Sequence, residues 1–426
     1  MRAPKQLFDR RRFLQSAASA GALLLAPTFV PSSALGRDGH VAPSERIVMG
    51  GLGIGSRGGY DLGIFLEQPE VQFVAVADVR AERRNAVKQM VDARYGNADC
   101  QTYWDMFDML ARDDIDACLI ATGDRWHTQA SIVTARAGKD MYCEKPCSLS
   151  IAESRALADN IARYGRVYQA GTQRRNIANF ILAIELAHSG RLGQLHTVHA
   201  NTLDPATKKV WLDPQPEPAP DVVNWERWLG PVPWRPYNES YVQGAWRGYY
   251  DFHGGGILEW GAHTVDLCQW ANQADATAPV EYEPEGATNV VARYANGVKL
   301  VMRDKGWLGL GTCAVRFEGD EGWVETGDSG RIEMHPASLR ADKRIFDVAG
   351  TTPTAHILEF LRCVKSRRMP AGNAAVACQS HIACHAAYIA WQLGRKVQFD
   401  PARDEFIGDA EANRMRCRAL REPWHA

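Results

Sequence analysis

Arg46-Ile47-Val48-Met49-Gly50-Gly51-Leu52-Gly53-Ile54-Gly55-Ser56-Arg57-Gly58 decides the fold. Its first five residues read as a strand, which runs into a G-x-G-x-x-G turn at Gly53 to Gly58. A helix is expected next, and then the strand Val71-Gln72-Phe73-Val74-Ala75-Val76-Ala77, ending at Asp78. Gly53 permits the tight turn, Gly55 lets the backbone approach a pyrophosphate, and Gly58 lets the helix pack closely on the strand. The backbone N–H groups of Ile54, Ser56 and Arg57 belong to the same phosphate-facing turn and helix start. Asp78 lies 20 residues beyond Gly58, where a carboxylate accepts hydrogen bonds from an adenosine ribose. A lone glycine turn is weak, but strand, helix and acid at these distances together specify a dinucleotide site. Asp78 favours NAD, because its charge repels a 2′-phosphate; Arg80, Arg83 and Arg84 keep NADP as the alternative.

The alternation continues outward. A strand at Ala117 to Ala121 meets a turn from Thr122 to His127, with a helix at Ala130 to Ala137. The strand Asp140-Met141-Tyr142-Cys143 follows, then a helix at Ile151 to Tyr164 and a short strand at Val167 to Ala170. Such spacing predicts an α/β domain with a doubly wound parallel sheet. Ligands bind these sheets at the carboxyl ends of the strands. That edge collects Thr122, Trp126, His127, Glu144 and Lys145, with Gln173 just beyond the last strand. The Rossmann domain is placed at 46–175 and a second α/β domain at 176–426. Strand patterns near Leu195 to Leu203, Thr288 to Ala295, Lys299 to Asp304, Cys313 to Glu318 and Gly322 to Glu325 predict a large, mainly antiparallel open sheet. Helices are expected at Ile177 to His188, Thr354 to Lys365 and Cys378 to Leu393. A Pro- and Trp-rich irregular stretch runs from Asp204 to about Tyr250.

Two segments carry chemistry. Cys143-Glu144-Lys145-Pro146 delivers one lysine where a strand runs out toward the cofactor. Gly254-Gly255-Gly256-Ile257-Leu258-Glu259-Trp260-Gly261-Ala262-His263-Thr264-Val265-Asp266, read as a helix, sets Glu259 and His263 one turn apart on one face. A carboxylate beside a histidine raises its basicity and fixes its orientation. The 10 cysteines are scattered; no Cys/His set has zinc spacing, so no metal is expected and buried free thiols are the reading.

These motifs, with Gly171-Thr172-Gln173-Arg174-Arg175 between them, come in an order that resembles the Gfo/Idh/MocA oxidoreductases, which include glucose–fructose oxidoreductase and inositol dehydrogenase. The resemblance covers essentially all of the chain beyond the leader. It implies a nicotinamide cofactor, a sugar or cyclic polyol substrate, and an open sheet that supports a homodimer or homotetramer. Lys145 matches the family lysine that contacts the reacting hydroxyl, and His263 the histidine that serves as base or proton relay. Glu259 stands where the family more often has aspartate, which leaves its partner, His263 or a substrate hydroxyl, open. Gly123 replaces the proline usual after the fourth-strand threonine. For substrate recognition the candidates are Arg174, Arg175, Trp246, Arg247 and Tyr250, with Trp126 and His127. Trp225, Trp228 and Trp234 read as pins for the Pro-rich loop. The expected mechanism has Lys145 on the reacting oxygen and His263 passing the proton to solvent.

The N-terminus reads as an address. Arg10-Arg11-Arg12-Phe13-Leu14 fits a twin-arginine signal, an apolar stretch from Ala17 to Val30 follows, and Ser32-Ser33-Ala34 offers a cleavage site. Residues 1–34 are read as the signal and 35–45 as a linker, which predicts recognition by the twin-arginine translocase and a periplasmic protein. A net charge of -1 gives no footprint for nucleic acid, and no membrane association is expected of the mature form. Outside the cytoplasm a cofactor must travel tightly bound in the folded chain. A nanomolar site releases it in roughly a quarter of an hour, so tighter binding is required and each turnover must restore the cofactor. Three readings follow: an oxidoreductase returning hydride to a second carbohydrate, a redox-neutral glycoside hydrolase using bound NAD for transient oxidation and elimination, and a non-catalytic sugar sensor.

Overall fold

Parallel strands buried on both faces are near-continuous apolar runs, and β1 (Ile47–Leu52) is one such run. The computed structural model describes residues 37, 41–341 and 353–424; the twin-arginine motif, the apolar stretch after it and the cleavage site lie outside them. After β1 come α1 (Ser56–Glu67), β2 (Val71–Ala77), α2 (Ala81–Tyr95), β3 (Gln101–Tyr103) and α3 (Met106–Leu110). Then follow β4 (Ala117–Ile120), α4 (Asp124–Arg136), β5 (Asp140–Cys143), α5 (Ile151–Tyr164) and β6 (Tyr168–Ala170). The strands form a parallel sheet in the order β3-β2-β1-β4-β5-β6, the doubly wound order whose switch point lies between β1 and β4. Local chemistry sets the element ends. Ser150 accepts from Glu153 N at 3.2 Å, Glu153 reaches back to Leu149 N at 2.6 Å, and Gly165 ends α5 in the left-handed region.

One boundary differs from expectation. α4 begins at Asp124, six residues before the predicted Ala130, so Trp126 and His127 sit in a helix rather than a turn. Gly123 is its N-cap, and a Cβ there would lie 2.4 Å from Arg125 Nη1. A side chain at position 123 would meet that guanidinium.

The second half comprises α6 (Ala178–His188), β7 (Leu195–Asn201), α7 (Trp225–Leu229) and α8 (Gly255–Ala271). Strands β8 (Glu281–Glu285), β9 (Asn289–Arg293), β10 (Lys299–Arg303), β11 (Val315–Gly319), β12 (Gly322–Thr326) and β13 (Ile332–His335) follow. The chain ends with α9 (Thr354–Ser366), α10 (Ala374–Leu393), β14 (Val397–Asp400), β15 (Glu405–Phe406) and α11 (Ala410–Arg414). Nine strands pair in the order β13-β12-β11-β7-β10-β9-β8-β14-β15. All pairs are antiparallel except β7 with β10. Val198, Ala200, Leu300, Met302 and Phe317 turn one face of this sheet onto α8 and α10.

The hydrophobic clusters cross the 175/176 boundary. Ile357, Phe360 and Leu361 of α9 pack with Phe65 of α1 and Tyr142 of β5, and Ala374, Ala377 and Cys378 of α10 join the other face of the parallel sheet. The Phe360 ring stands edge-on to Phe65 and to Tyr142, with centroids 6.1 Å apart in each case. Phe360→Ala should therefore destabilise the parallel sheet by about 3–5 kcal/mol, read as a lowered urea midpoint; an unchanged midpoint would show that α9 does not support that domain.

Candidate functional site

A cleft of about 520 Å³ opens at the carboxyl edge of the parallel sheet and is closed by the second half of the chain. Gly53, Gly55, Ser56, Arg57, Gly58, Asp78, Thr122, Trp126, His127, Glu144, Lys145 and Gln173 line it, as do Arg174, Trp246, Arg247, Glu259 and His263. The glycines divide by cause. Gly53 has φ +63, and a Cβ there would lie 2.5 Å from Thr122 Cγ2; at Gly58 a Cβ would lie 2.6 Å from the Ala121 Cβ. At Gly55 a Cβ meets nothing within 4 Å, so the protein's own packing demands no glycine there. Gly55 also caps α1 without a side-chain acceptor. Free backbone donors facing open space fit a pyrophosphate.

Asp78 Oδ1 accepts from Arg80 N at 2.9 Å. Burial pushes this carboxyl up to about 6 against the pull of Arg80, Arg83 and Arg84. Arg80 is committed to the Val242 carbonyl at 2.9 Å and to Glu82, and Arg84 to the Asp78 carbonyl at 2.7 Å. Arg83 also lines the cleft, so this end presents both the Asp78 carboxylate and a guanidinium.

The irregular stretch between β7 and α8 straps this end. Asn224 N donates to Val79 O and Ala81 N to Val222 O, each at 3.0 Å, Arg125 Nε reaches Trp228 O at 2.6 Å, and Arg227 pairs with Asp105 at 2.7 Å. Trp225 and Trp228 stack at 4.7 Å inside an aromatic cluster, as pins should. Trp228 also lines the cleft, beneath Arg125. Trp234 is exposed and pins nothing by burial. Trp126 Nε1 donates to Arg227 O at 2.9 Å, and His127 joins the carbonyls of Pro146 (2.6 Å) and Thr122 (3.0 Å). Both brace the loops behind the cleft.

At the other end, Glu144 accepts from Gln173 Nε2 at 2.8 Å and Arg57 Nε at 3.3 Å. Its neighbour Asp61 is fully buried on α1. Burial, reinforced by Glu144 and opposed by Arg57, which pairs with Asp61 at 2.9 Å, pushes the Asp61 carboxyl up to about 9. Lys145 Nζ donates to Glu259 Oε1 at 3.0 Å and to the Glu259 carbonyl at 2.8 Å. The other carboxylate oxygen, Oε2, lies 2.9 Å from His253 Nε2. The histidine that completes this carboxylate is therefore His253, from the loop before α8, and not His263.

His263 Nε2 instead lies 3.0 Å from Arg174 Nη1, while its Nδ1 is buried without a hydrogen-bond partner among the described residues. Burial, Arg174 and Lys145 hold its pKa well below the usual value. A neutral acceptor facing a guanidinium is poorly placed to carry a proton to solvent. Arg174 is oriented by a two-pronged pair with Asp328 at 2.8 and 3.0 Å.

Three sequence-chosen residues lie off the cleft wall. Ile54 is buried in the parallel-sheet core. Arg175 is consumed by Asp266 at 2.6 Å and Asp275 at 2.7 Å, because a buried guanidinium is retained where carboxylates neutralise it. Tyr250 stacks on Tyr388 at 6.1 Å under Arg418. Sequence reasoning missed Asp124, His253 and Asp328; of these only Asp124, inside the loop already singled out, carried a signal.

The ligand atoms of Asp124, His253 and Glu259 lie within 4.8 Å of one another, a spacing that suits a metal. Gly255 N donates to His253 Nδ1 at 3.1 Å. The ring proton is thereby on Nε2, which leaves that nitrogen no lone pair for an ion. Lys145 already supplies the cation.

The Asp61 proton has a measurable consequence. Its folded pKa lies above the unfolded value, so the folded state binds the extra proton between about pH 4 and 9 and loses stability as pH rises through that window. Asp61→Asn, which mimics the protonated acid, should flatten the fall in urea stability between about pH 6 and pH 9; an unchanged slope would mean that Asp61 is ionised.

Comparison with known proteins places these features in a family. Residues 46–172 match the model described as "Oxidoreductase family, NAD-binding Rossmann fold", and 206–426 match "Oxidoreductase family, C-terminal alpha/beta domain". A glycosyl hydrolase family 109 protein from Saccharopolyspora erythraea is 29% identical over 206 residues, 44% of each chain. Myo-inositol 2-dehydrogenase from Thermotoga maritima is 26% identical over 132 residues, 31% of this chain and 38% of that one. The chain thus spans under half the length of these curated relatives. The WlbA dehydrogenase from Bordetella pertussis, solved with NADH and UDP-GlcNAcA, shares the fold at TM-score 0.60 and 18% identity, over 83% of this chain and 99% of that one. With both of its domains matched in their expected order, the chain belongs to the Gfo/Idh/MocA oxidoreductase family.

Proposed function

We propose that this protein is an oxidoreductase moving hydride between tightly held NAD(P) and a secondary hydroxyl of a sugar or cyclic polyol, and returning it to a second carbohydrate. The carrying observation is that the Lys145–Glu259 pair opens into the same cleft as the uncapped glycine turn. When bound, the nicotinamide accepts and returns hydride at carbon. Lys145 holds the substrate oxygen and manages its proton, Glu259 orients the ammonium, and Arg174, Trp246 and Arg247 address the remaining hydroxyls and the sugar face. Asp78 favours NAD over NADP.

Tight retention is supported by the strap from Val222 to Trp228, whose backbone bonds to Val79 and Ala81 close over the adenosine end. Export through the twin-arginine route to the periplasm rests on Arg10-Arg11-Arg12-Phe13-Leu14. For a homo-oligomer, the face of the nine-stranded sheet turned away from α8 and α10, bearing His199, Arg303, Arg316 and Trp323, is the surface we assign to a second copy. The family 109 relative supports a second reading, a redox-neutral glycosidase acting through the same hydride step.

Denaturing protein recovered from the periplasm should release about one nicotinamide nucleotide per chain, identified by absorbance and mass; a folded protein that neither contains nor binds NAD(P) would overturn the proposal. Lys145→Ala should slow hydride transfer by roughly 100- to 10,000-fold, measured as single-turnover absorbance change with a panel of polyols and sugars. Product release from aryl glycosides without net nucleotide reduction would move the assignment to the second reading. Arg227→Ala, which frees the strap from Asp105, should speed nucleotide loss about tenfold; an unchanged off-rate would remove the strap from the account.

A further inference from the structure

We propose, building on that reading of the cleft, that His253 is a positioning residue: it keeps the Glu259 carboxylate ionised and aimed at Lys145. Four contacts carry the inference. Gly255 N donates to Nδ1 at 3.1 Å, which fixes the ring proton on Nε2. That proton goes to Glu259 Oε2 at 2.9 Å, while Glu259 Oε1 takes Lys145 Nζ at 3.0 Å. The ring is wedged edge-on against Trp246, with centroids 5.8 Å apart. Its backbone carbonyl is held by Arg418 Nη1 at 3.1 Å. His253 is buried and is absent from the cleft wall, so it acts through Glu259.

The surroundings make the arrangement directional. The charged and titratable groups facing this histidine and its carboxylates include Asp124, Arg125 and His127 of α4, Glu259 of α8, Lys145 just beyond β5, and Arg418. Asp124 Oδ2 lies 3.9 Å from the same Nε2, buried and with no hydrogen-bond donor among the described residues. One N–H thus faces two carboxylates and serves the one that holds the lysine. Burial alone would push the Glu259 carboxyl up, but His253 and Lys145 together hold it well below the usual range. Removing the His253 donor raises that value. Because the ionised carboxylate is the working form, the acid limb of the rate profile then moves to higher pH.

The test pairs two variants with a measurement that needs no turnover. His253→Phe keeps the ring volume and loses the donor; His253→Gln places an amide N–H near the Nε2 position. Carbon-13 NMR titration of Glu259 should show its pKa rising by about one to two units in His253→Phe and returning toward wild type in His253→Gln. In the holoenzyme, kcat for hydride transfer to a polyol should fall about 10- to 100-fold in His253→Phe, with KM within about twofold, and the acid limb should follow the titration. An unmoved Glu259 titration in His253→Phe would overturn the proposal. So would one equivalent of Zn²⁺ or Mn²⁺ bound by dialysed wild type and lost in His253→Phe, since the trio would then be a metal site. A wild-type protein that transfers hydride with no polyol or sugar would overturn the underlying reading, and the Glu259 titration separates that failure from a failure of His253 itself.

Discussion

A single buried carboxylate, Glu144, ties the cleft together. It sits at the end of β5 and receives Arg57 from α1, Gln173 from beyond β6 and the backbone N–H of Lys145 at 3.2 Å. Two chain segments distant in sequence, α1 and the turn beyond β6, therefore converge on the end of β5. A buried anion with unmet hydrogen-bonding capacity is costly, so each donor is held, and with them the direction in which Lys145 leaves the sheet. Asp61, its pKa pushed up beside it, shares the Arg57 guanidinium with that carboxylate.

In and behind the cleft, charged side chains meet an opposite charge or a neutral hydrogen-bonding partner. Lys145 meets Glu259, Glu259 meets His253, Arg174 meets Asp328, and Arg175 meets Asp266 and Asp275. Each pair makes its neighbour's burial tolerable, and each fixes a geometry that an isolated side chain on a flexible stem would not keep. His263 meets no carboxylate: its Nε2 faces the Arg174 guanidinium and its Nδ1 is buried without a hydrogen-bond partner among the described residues, an arrangement poorly suited to carrying protons.

The halves of the chain also depend on one another. α9 and the start of α10 fill the two faces of the parallel sheet, and the strap before α8 closes over its open edge. Neither the dinucleotide wall nor the substrate wall is complete without residues contributed from the far side of position 176.

The parallel sheet was legible because its signals are local: apolar runs, a glycine turn and an acid at fixed spacing. β5 and α5 fall at the predicted residues, and the glycine turn, Asp78 and Lys145 line one cleft. β3, β8 and β13 escaped because few of their side chains are buried, as in Glu281-Tyr282-Glu283-Pro284-Glu285, and β14 and β15 because four and two residues are too short to show a period. Helical periodicity put Glu259 and His263 on one face, and both reach the cleft. What periodicity does not encode is which neighbour each meets across space. Asp328, Asp266 and Asp275 decide the partners of Arg174 and Arg175 from many residues away, and His253 reaches Glu259 from the loop just before α8, off the helical period. The sequence alone determined the fold class and the wall that faces a dinucleotide, since backbone geometry and burial pattern are written locally. The tertiary structure decided the pairing of charges, because a carboxylate or guanidinium takes whichever partner packing brings within hydrogen-bond reach.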